Sequence, residues 1–187
     1  MRRYERGTKE MRQQETVKGN AITPTEYKAF QQAYDFFNKQ LFDKSLPPVL
    51  ITLQRHAKMS GYFAPDRFTG RNGDNTTQEQ SLNPDGFTGK SDEWILSVLV
   101  HEMAHEWQQE YGQVPTRGYH DRQWAAKMKE IGLQPTSTGM ADGKETGQHM
   151  SHLIVKKGPY TLGYAKLKAS GVQLNWPTDF FGGNLPR

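Results

Sequence analysis

Apolar residues recur at spacings of three and four from Tyr27 through Phe30, Tyr34 and Phe37 to Leu41. This spacing predicts an amphipathic helix with one buried face. Thr23-Pro24-Thr25-Glu26 opens it, with proline at an early position that a helix tolerates. Pro47-Pro48 closes the segment, and Val49 to Leu53 reads as a buried strand. Two further strands are expected at Gly61-Tyr62-Phe63 and Gln80-Ser81-Leu82, separated by a long polar loop from Asp66 to Thr77. The pattern then changes: between Trp94 and Trp107, residues Trp94, Ile95, Leu96, Val98, Leu99, Val100, Met103 and Ala104 surround the helical axis. Such a helix is buried nearly all round. Ser91 can cap it, and Asp92 and Glu93 suit the positive end of its dipole. After a break at Gly112, Pro115 and Gly118, a third helix carries Trp124, Met128 and Ile131 on one stripe, and Gly132 is placed to end it.

The remaining segments are shorter. Thr136 to Lys144 is rich in turn formers and reads as a loop, Leu153-Ile154-Val155 as a strand, Gly158-Pro159 as a turn and Tyr164 to Ala169 as a short helix. Residues 1–20 are polar and mixed in charge, with Arg2, Arg3, Arg6, Lys9, Arg12 and Lys18 against Glu5, Glu10 and Glu15. They are expected to form a flexible basic arm. Trp176 to Arg187 suggests a packed aromatic cluster followed by an exposed end. Of the 187 residues, 21–135 are read as the main domain and 136–187 as an extension packed on it.

Composition narrows the classes. The net charge of +4 is a mild basic excess rather than a nucleic-acid signature. No cysteine is present, which excludes a disulfide scaffold, a thiol nucleophile and a cysteine zinc ribbon. No apolar run is long enough to cross a membrane, and the N-terminal segment lacks the apolar core of a secretory signal, so a cytoplasmic location is expected.

The chemistry lies in the buried helix. His101-Glu102-Met103-Ala104-His105 is an HExxH motif. Four residues is just over one helical turn, so both histidines project from one face and can share a metal ion. Glu102 follows the first histidine directly, where its carboxylate can take a proton from a water activated there. Burying two imidazoles and a carboxylate in an apolar helix without partners would cost several kcal/mol, on the order expected for unpaired buried polar groups. A metal removes that penalty; the alternative is a core helix whose histidines bond to the backbone.

A catalytic zinc takes three protein ligands and leaves a position open. The spacing HExxHxxGxxH is excluded, because Gln108 and Tyr111 occupy the positions that would be Gly and His. Candidates for the third ligand are Glu110, His120, Asp121, Glu130, His149 and His152. Glu110 lies on the same helix and faces the wrong way. His120 is favoured, since a helix-turn-helix return brings the start of the third helix beside the HExxH helix. Glu130 is the runner-up. His149 and His152 are read as a hydrogen-bonding pair in a loop, with metal binding or oxyanion stabilisation as the functional alternative.

Leu82-Asn83-Pro84, the run HEMAHEWQ from His101 to Gln108, Gly118-Tyr119-His120, Trp124 to Met128 and Ile131 to Pro135 together resemble the SprT-like metalloproteases. Leu41 to Pro47 and Gly61-Tyr62-Phe63 extend the likeness, which is nearest to SprT-like proteins of bacterial mobile elements. The resemblance implies an α+β, zincin-like domain in which a small sheet packs on the N-terminal helix and the HExxH helix, followed by a third helix. It implies zinc held by His101, His105 and His120, with Glu102 as general base. It further implies a protease acting on proteins trapped or crosslinked on DNA, single-stranded or duplex.

The expected activity is therefore zinc-dependent endopeptidase cleavage of protein substrates, with DNA as a partner. The alternative is a DNA- or protein-binding module with a structural zinc and no turnover, against which an intact Glu102 argues. Tyr119, Tyr62 and His149 are candidates for stabilising the oxyanion. The strand near Leu82 is the candidate sheet edge for pairing with an extended substrate.

Overall fold

The computed structural model describes residues 21–175, so the basic arm of residues 1–20 and the aromatic cluster from Trp176 onward lie outside the described residues. The architecture is α+β: α1 (Ile22–Leu41), β1 (Val49–Leu53), β2 (Gly61–Thr69), β3 (Thr76–Leu82), α2 (Asp92–Tyr111), α3 (Arg122–Glu130), β4 (Leu133–Thr136), β5 (Ser151–Ile154) and α4 (Pro159–Ala169). Among the described residues no helix is long and apolar enough to cross a membrane.

The amphipathic face predicted for α1 is buried at Phe30, Tyr34 and Phe37. Phe37 stacks on Tyr160 of α4 with ring centroids 5.3 Å apart, and Phe30 lies 6.3 Å from Phe87. Helix α2 is buried on nearly every side, as its apolar surround requires: Ile95, Leu96, Leu99, Val100, Met103 and Ala104 are all at most 1% exposed. Ser91 accepts a hydrogen bond from the Trp94 backbone at its start. Asp121 caps α3, accepting from the Gln123 and Trp124 backbone N–H groups, and it also accepts from Gln108 Nε2 of α2. That tie returns the start of α3 to the side of α2. Gly132 ends the α3 segment at φ +89°. A Cβ there would lie about 3 Å from Pro159 and the Tyr160 nitrogen, so this position needs glycine for both backbone angle and space.

The three-stranded sheet has the order β1-β3-β2, with β1 parallel and β2 antiparallel to β3. Two sequence expectations are corrected. The polar loop is only a short turn, because β2 runs on to Thr69 and β3 starts at Thr76, with an irregularity in pairing between Ala64 and Phe68. The strand ending at Leu82 is central, paired on both sides, and the edge near α2 is β2. Buried Glu79, Gln80, Ser81 and Leu82 fit this central place. A second sheet pairs β4 with β5 in antiparallel register, Pro135 opposite His152. The sequence pattern anticipates β5 but not β4, whose Leu-Gln-Pro-Thr has little strand character of its own.

Between α1, α2 and β3 lies a buried polar cluster. Glu106 is fully buried; Gln80 Nε2 donates to its Oε2 at 2.6 Å, and Tyr34 Oη lies 2.9 Å from its Oε1. The Tyr34 hydroxyl also donates to the Pro47 carbonyl at 2.6 Å. One hydroxyl proton cannot fully serve both acceptors, whereas a proton on Glu106 satisfies all three groups. Burial favours that form, raising the Glu106 carboxyl from its ordinary 4.5 to about 8 despite the hydrogen bonds that oppose the shift. The folded chain then holds a proton that the unfolded chain releases above pH 4.5, so this group lowers stability as pH rises from 4.5 to about 8. Glu106→Gln keeps the hydrogen bonds without the titration. Urea unfolding of the metal-free protein between pH 5.5 and 7.5 is expected to show a shallower loss of stability in the variant, by up to about 1.4 kcal/mol per pH unit. Equal slopes would mean that Glu106 is ionised in the fold.

Candidate metal centre

His101 and His105 lie one turn apart on α2, and the loop tied down by Asp121 and Gln108 delivers His120 to the same place. The three side chains each offer a ring nitrogen, and these nitrogens all lie within 4.8 Å of one another. Ring centroids are 5.3 Å apart for His101 and His105, 4.6 Å for His105 and His120, and 5.6 Å for His101 and His120. Trp124 of α3 forms the wall behind them, stacked on His105 and edge-on to His120 at 4.4 Å. This cluster could hold a metal ion.

The electrostatics suit that use. Burial lowers the pKa of His101 well below 6.5 and that of His105 to about 3, and neighbouring imidazoles add to both shifts. His120 is lowered in the same direction, chiefly by burial. All three rings are therefore neutral at pH 7, the form that ligates a metal. His120 Nδ1 lies 3.1 Å from the Gly147 carbonyl, which only accepts, so Nδ1 carries the proton and Nε2 keeps its lone pair. The donor set of three neutral imidazoles, one with its free nitrogen assigned by a backbone carbonyl, fits a divalent first-row ion.

Glu102 is 5% exposed, and burial alone raises its carboxyl from 4.5 to about 8, with no hydrogen bond to bring it down. A cation in the three-histidine cluster acts in the opposite sense and favours the carboxylate. Room for Glu102 depends on Gly61 of β2: a Cβ there would lie 2.8 Å from the Ser81 carbonyl, 3.1 Å from Glu102 Oε1 and 3.2 Å from Val98 Cγ1. His101, Glu102, His105 and His120 all open onto one cleft of about 830 Å³. Gly61, Tyr62 and Phe63 of the β2 edge form one bank, and Gln148, His149 and Met150 another.

Other sequence candidates go elsewhere. Glu110 is exposed and accepts from Gln78 Nε2, and Glu130 pairs with Lys127 at the surface. Asp121 serves as the α3 cap. Tyr119 is exposed and is not among the cleft residues. The Tyr62 hydroxyl donates to Glu79 Oε2, and sheet alternation puts both on the face opposite α2, away from the histidines. His149 remains at the cleft rim, exposed. The supporting roles of Gly61, Trp124 and Gly147 were not legible in the sequence. A tryptophan in a helical stripe reads as core, and a backbone carbonyl acceptor has no side-chain signature.

A model of the SprT-like family matches residues 30–141, more than half of the chain, and includes His101, Glu102 and His105 of the motif and the third histidine, His120. An uncharacterized protein in the mucB 3' region of Salmonella typhimurium is 50% identical over 60 residues, spanning 32% of this chain and 81% of that protein. No solved structure matches. With the HExxH helix, the returning histidine and the matched span in agreement, the chain belongs to the SprT-like family.

Proposed function

We propose that this protein is a zinc-dependent endopeptidase with His101, His105 and His120 as ligands and Glu102 as general base. The observation that carries the reading is the pairing of a three-imidazole cluster with a buried, unbridged carboxylate on one open cleft. A structural zinc site has no use for such a base and usually closes its fourth position with protein. Zinc supplies Lewis acidity, polarising a carbonyl and making water more acidic. Glu102 accepts a proton from the attacking water on its carboxylate oxygen and delivers it to the leaving amine nitrogen. Three neutral imidazoles add no charge to the site, leaving Glu102 as its sole anionic group among those residues. The β2 edge at Gly61-Tyr62-Phe63 offers backbone groups to an extended peptide lying in the cleft. Loss of the side chain at Gly61 keeps that bank close to Glu102.

The substrate class in this reading is proteins bound or crosslinked to DNA, reached through contacts that weaken with salt; the SprT-like resemblance supports it. A cytoplasmic setting belongs to the same reading. The experiment is cleavage of a DNA-binding protein by the zinc-loaded enzyme, with and without single-stranded DNA. Glu102→Gln is expected to reduce cleavage by about 10²- to 10⁴-fold, the usual contribution of a general base, while still binding one zinc per chain. Chelation should abolish cleavage and zinc should restore it. A zinc-loaded protein that cleaves nothing, with or without DNA, would favour a binding module with a structural metal. Gly61→Ala is expected to push Glu102 aside and slow cleavage by about ten- to a hundredfold with zinc content unchanged. Wild-type rates in that variant would show that the close approach does not govern the base.

A further inference from the structure

His152 of β5 takes no part in the chemistry above, yet it is buried beside the three-histidine cluster on the same cleft, 7% exposed. Its Nε2 lies 2.7 Å from Ser97 Oγ and its Nδ1 3.1 Å from His101 Nδ1. Proton positions along this chain follow by elimination. Ser97 Oγ donates to the Trp94 carbonyl at 2.6 Å, and a carbonyl can only accept, so the one serine proton is committed. His152 must therefore donate from Nε2 to Ser97. Its two hydrogen-bond neighbours are a serine oxygen and another imidazole, with no carboxylate among them to hold a charge, so the ring carries a single proton. Its Nδ1 is then an acceptor, and the proton between the two rings sits on His101 Nδ1. That leaves the lone pair of His101 on Nε2.

We propose that His152 is a positioning residue, holding His101 in the Nδ1–H tautomer and in the ring orientation that presents Nε2 to the metal. Both nitrogens of His152 are engaged, one by His101 and one by Ser97, so neither is available as a fourth ligand; the three-histidine cluster does not include it. Ordering the rings in advance also lowers the entropy lost when the ion binds. The arrangement mirrors His120, whose Nδ1 is fixed by the Gly147 carbonyl. Both supports lie beyond residues 30–141, the span that matches the family model. Residues 142–154 thus furnish the outer hydrogen bonds of two ligands while contributing none themselves.

The inference rests on the three histidines being a metal centre, and the test separates the two. Zinc affinity of the full chain is measured by competition with a chromophoric chelator for the wild type, His152→Leu and His152→Asn. Histidine protonation sites are read by long-range ¹H–¹⁵N NMR of the metal-free wild type. Outer hydrogen bonds to metal ligands typically contribute 10- to 100-fold in affinity, so His152→Leu is expected to bind zinc about that much more weakly. His152→Asn places an acceptor oxygen at the δ position and is expected to recover most of the loss, which mere filling of space would not achieve. The NMR spectrum is expected to show His101 protonated at Nδ1. Wild-type affinity in a folded His152→Leu variant, no recovery with Asn, or a proton on His101 Nε2 would each overturn the role. A wild-type chain that binds no zinc would instead remove the metal centre itself. If His152→Leu fails to fold, the wild-type spectrum and the Asn variant still decide the matter.

Discussion

Within a single turn of α2 the chain takes two imidazoles and a carboxylate out of water, and the surrounding structure is arranged around that cost. A helix with apolar side chains nearly all round has to sit in the middle of the domain, with α1, α3, α4 and the sheet covering it. Its polar turn then has two permitted environments: partners inside the protein or an opening to solvent. The fold provides both. His101 is backed by His152, His120 by a backbone carbonyl and all three histidines by Trp124, while Glu102 faces the cleft with no protein partner. The carboxylate left unsatisfied is the group to which the proposed reading gives the proton transfer.

Glu106, four residues beyond Glu102, shows the contrasting solution on the same helix. Its burial raises its pKa about as far, but Tyr34 and Gln80 enclose it, and it has no route to the cleft residues. Two glutamates with similar desolvation therefore have different fates, decided by hydrogen-bond partners and access rather than by burial. Strong pKa perturbation points to function only when the perturbed group also faces open space.

The parts of the fold governed by local periodicity were legible in the sequence. The face of α1, the all-round burial of α2 and the Trp124-Met128-Ile131 stripe each follow from side-chain spacing, and the capping roles follow from the Ser91 hydroxyl and the Gly132 backbone. So was the convergence of His101, His105 and His120, because one helical turn and one return connection suffice to specify it. Sheet order was not. Leu82 belongs to a central strand because β1 joins it in parallel and β2 in antiparallel pairing, and long-range pairing of this kind leaves no mark in the polarity of Gln80-Ser81-Leu82. The same holds for His152. The sequence suggested a loop pair with His149, but His152 lies in β5 with its ring buried, whereas His149 precedes the strand and stays at the cleft rim.

The β4–β5 hairpin has a consequence for the order in which the molecule is made. Synthesis runs from the N-terminus, so all three clustered histidines leave the ribosome before Gly147 and His152 do. A nascent chain that has emerged only as far as α3 can gather those rings, but it lacks both groups that set their proton positions. The centre acquires its full set of supports only when β5 closes against β4, late in the appearance of the domain. The same ordering means that a fragment cut at the edge of the family-matched span would retain the recognisable motif and lose the scaffold behind it.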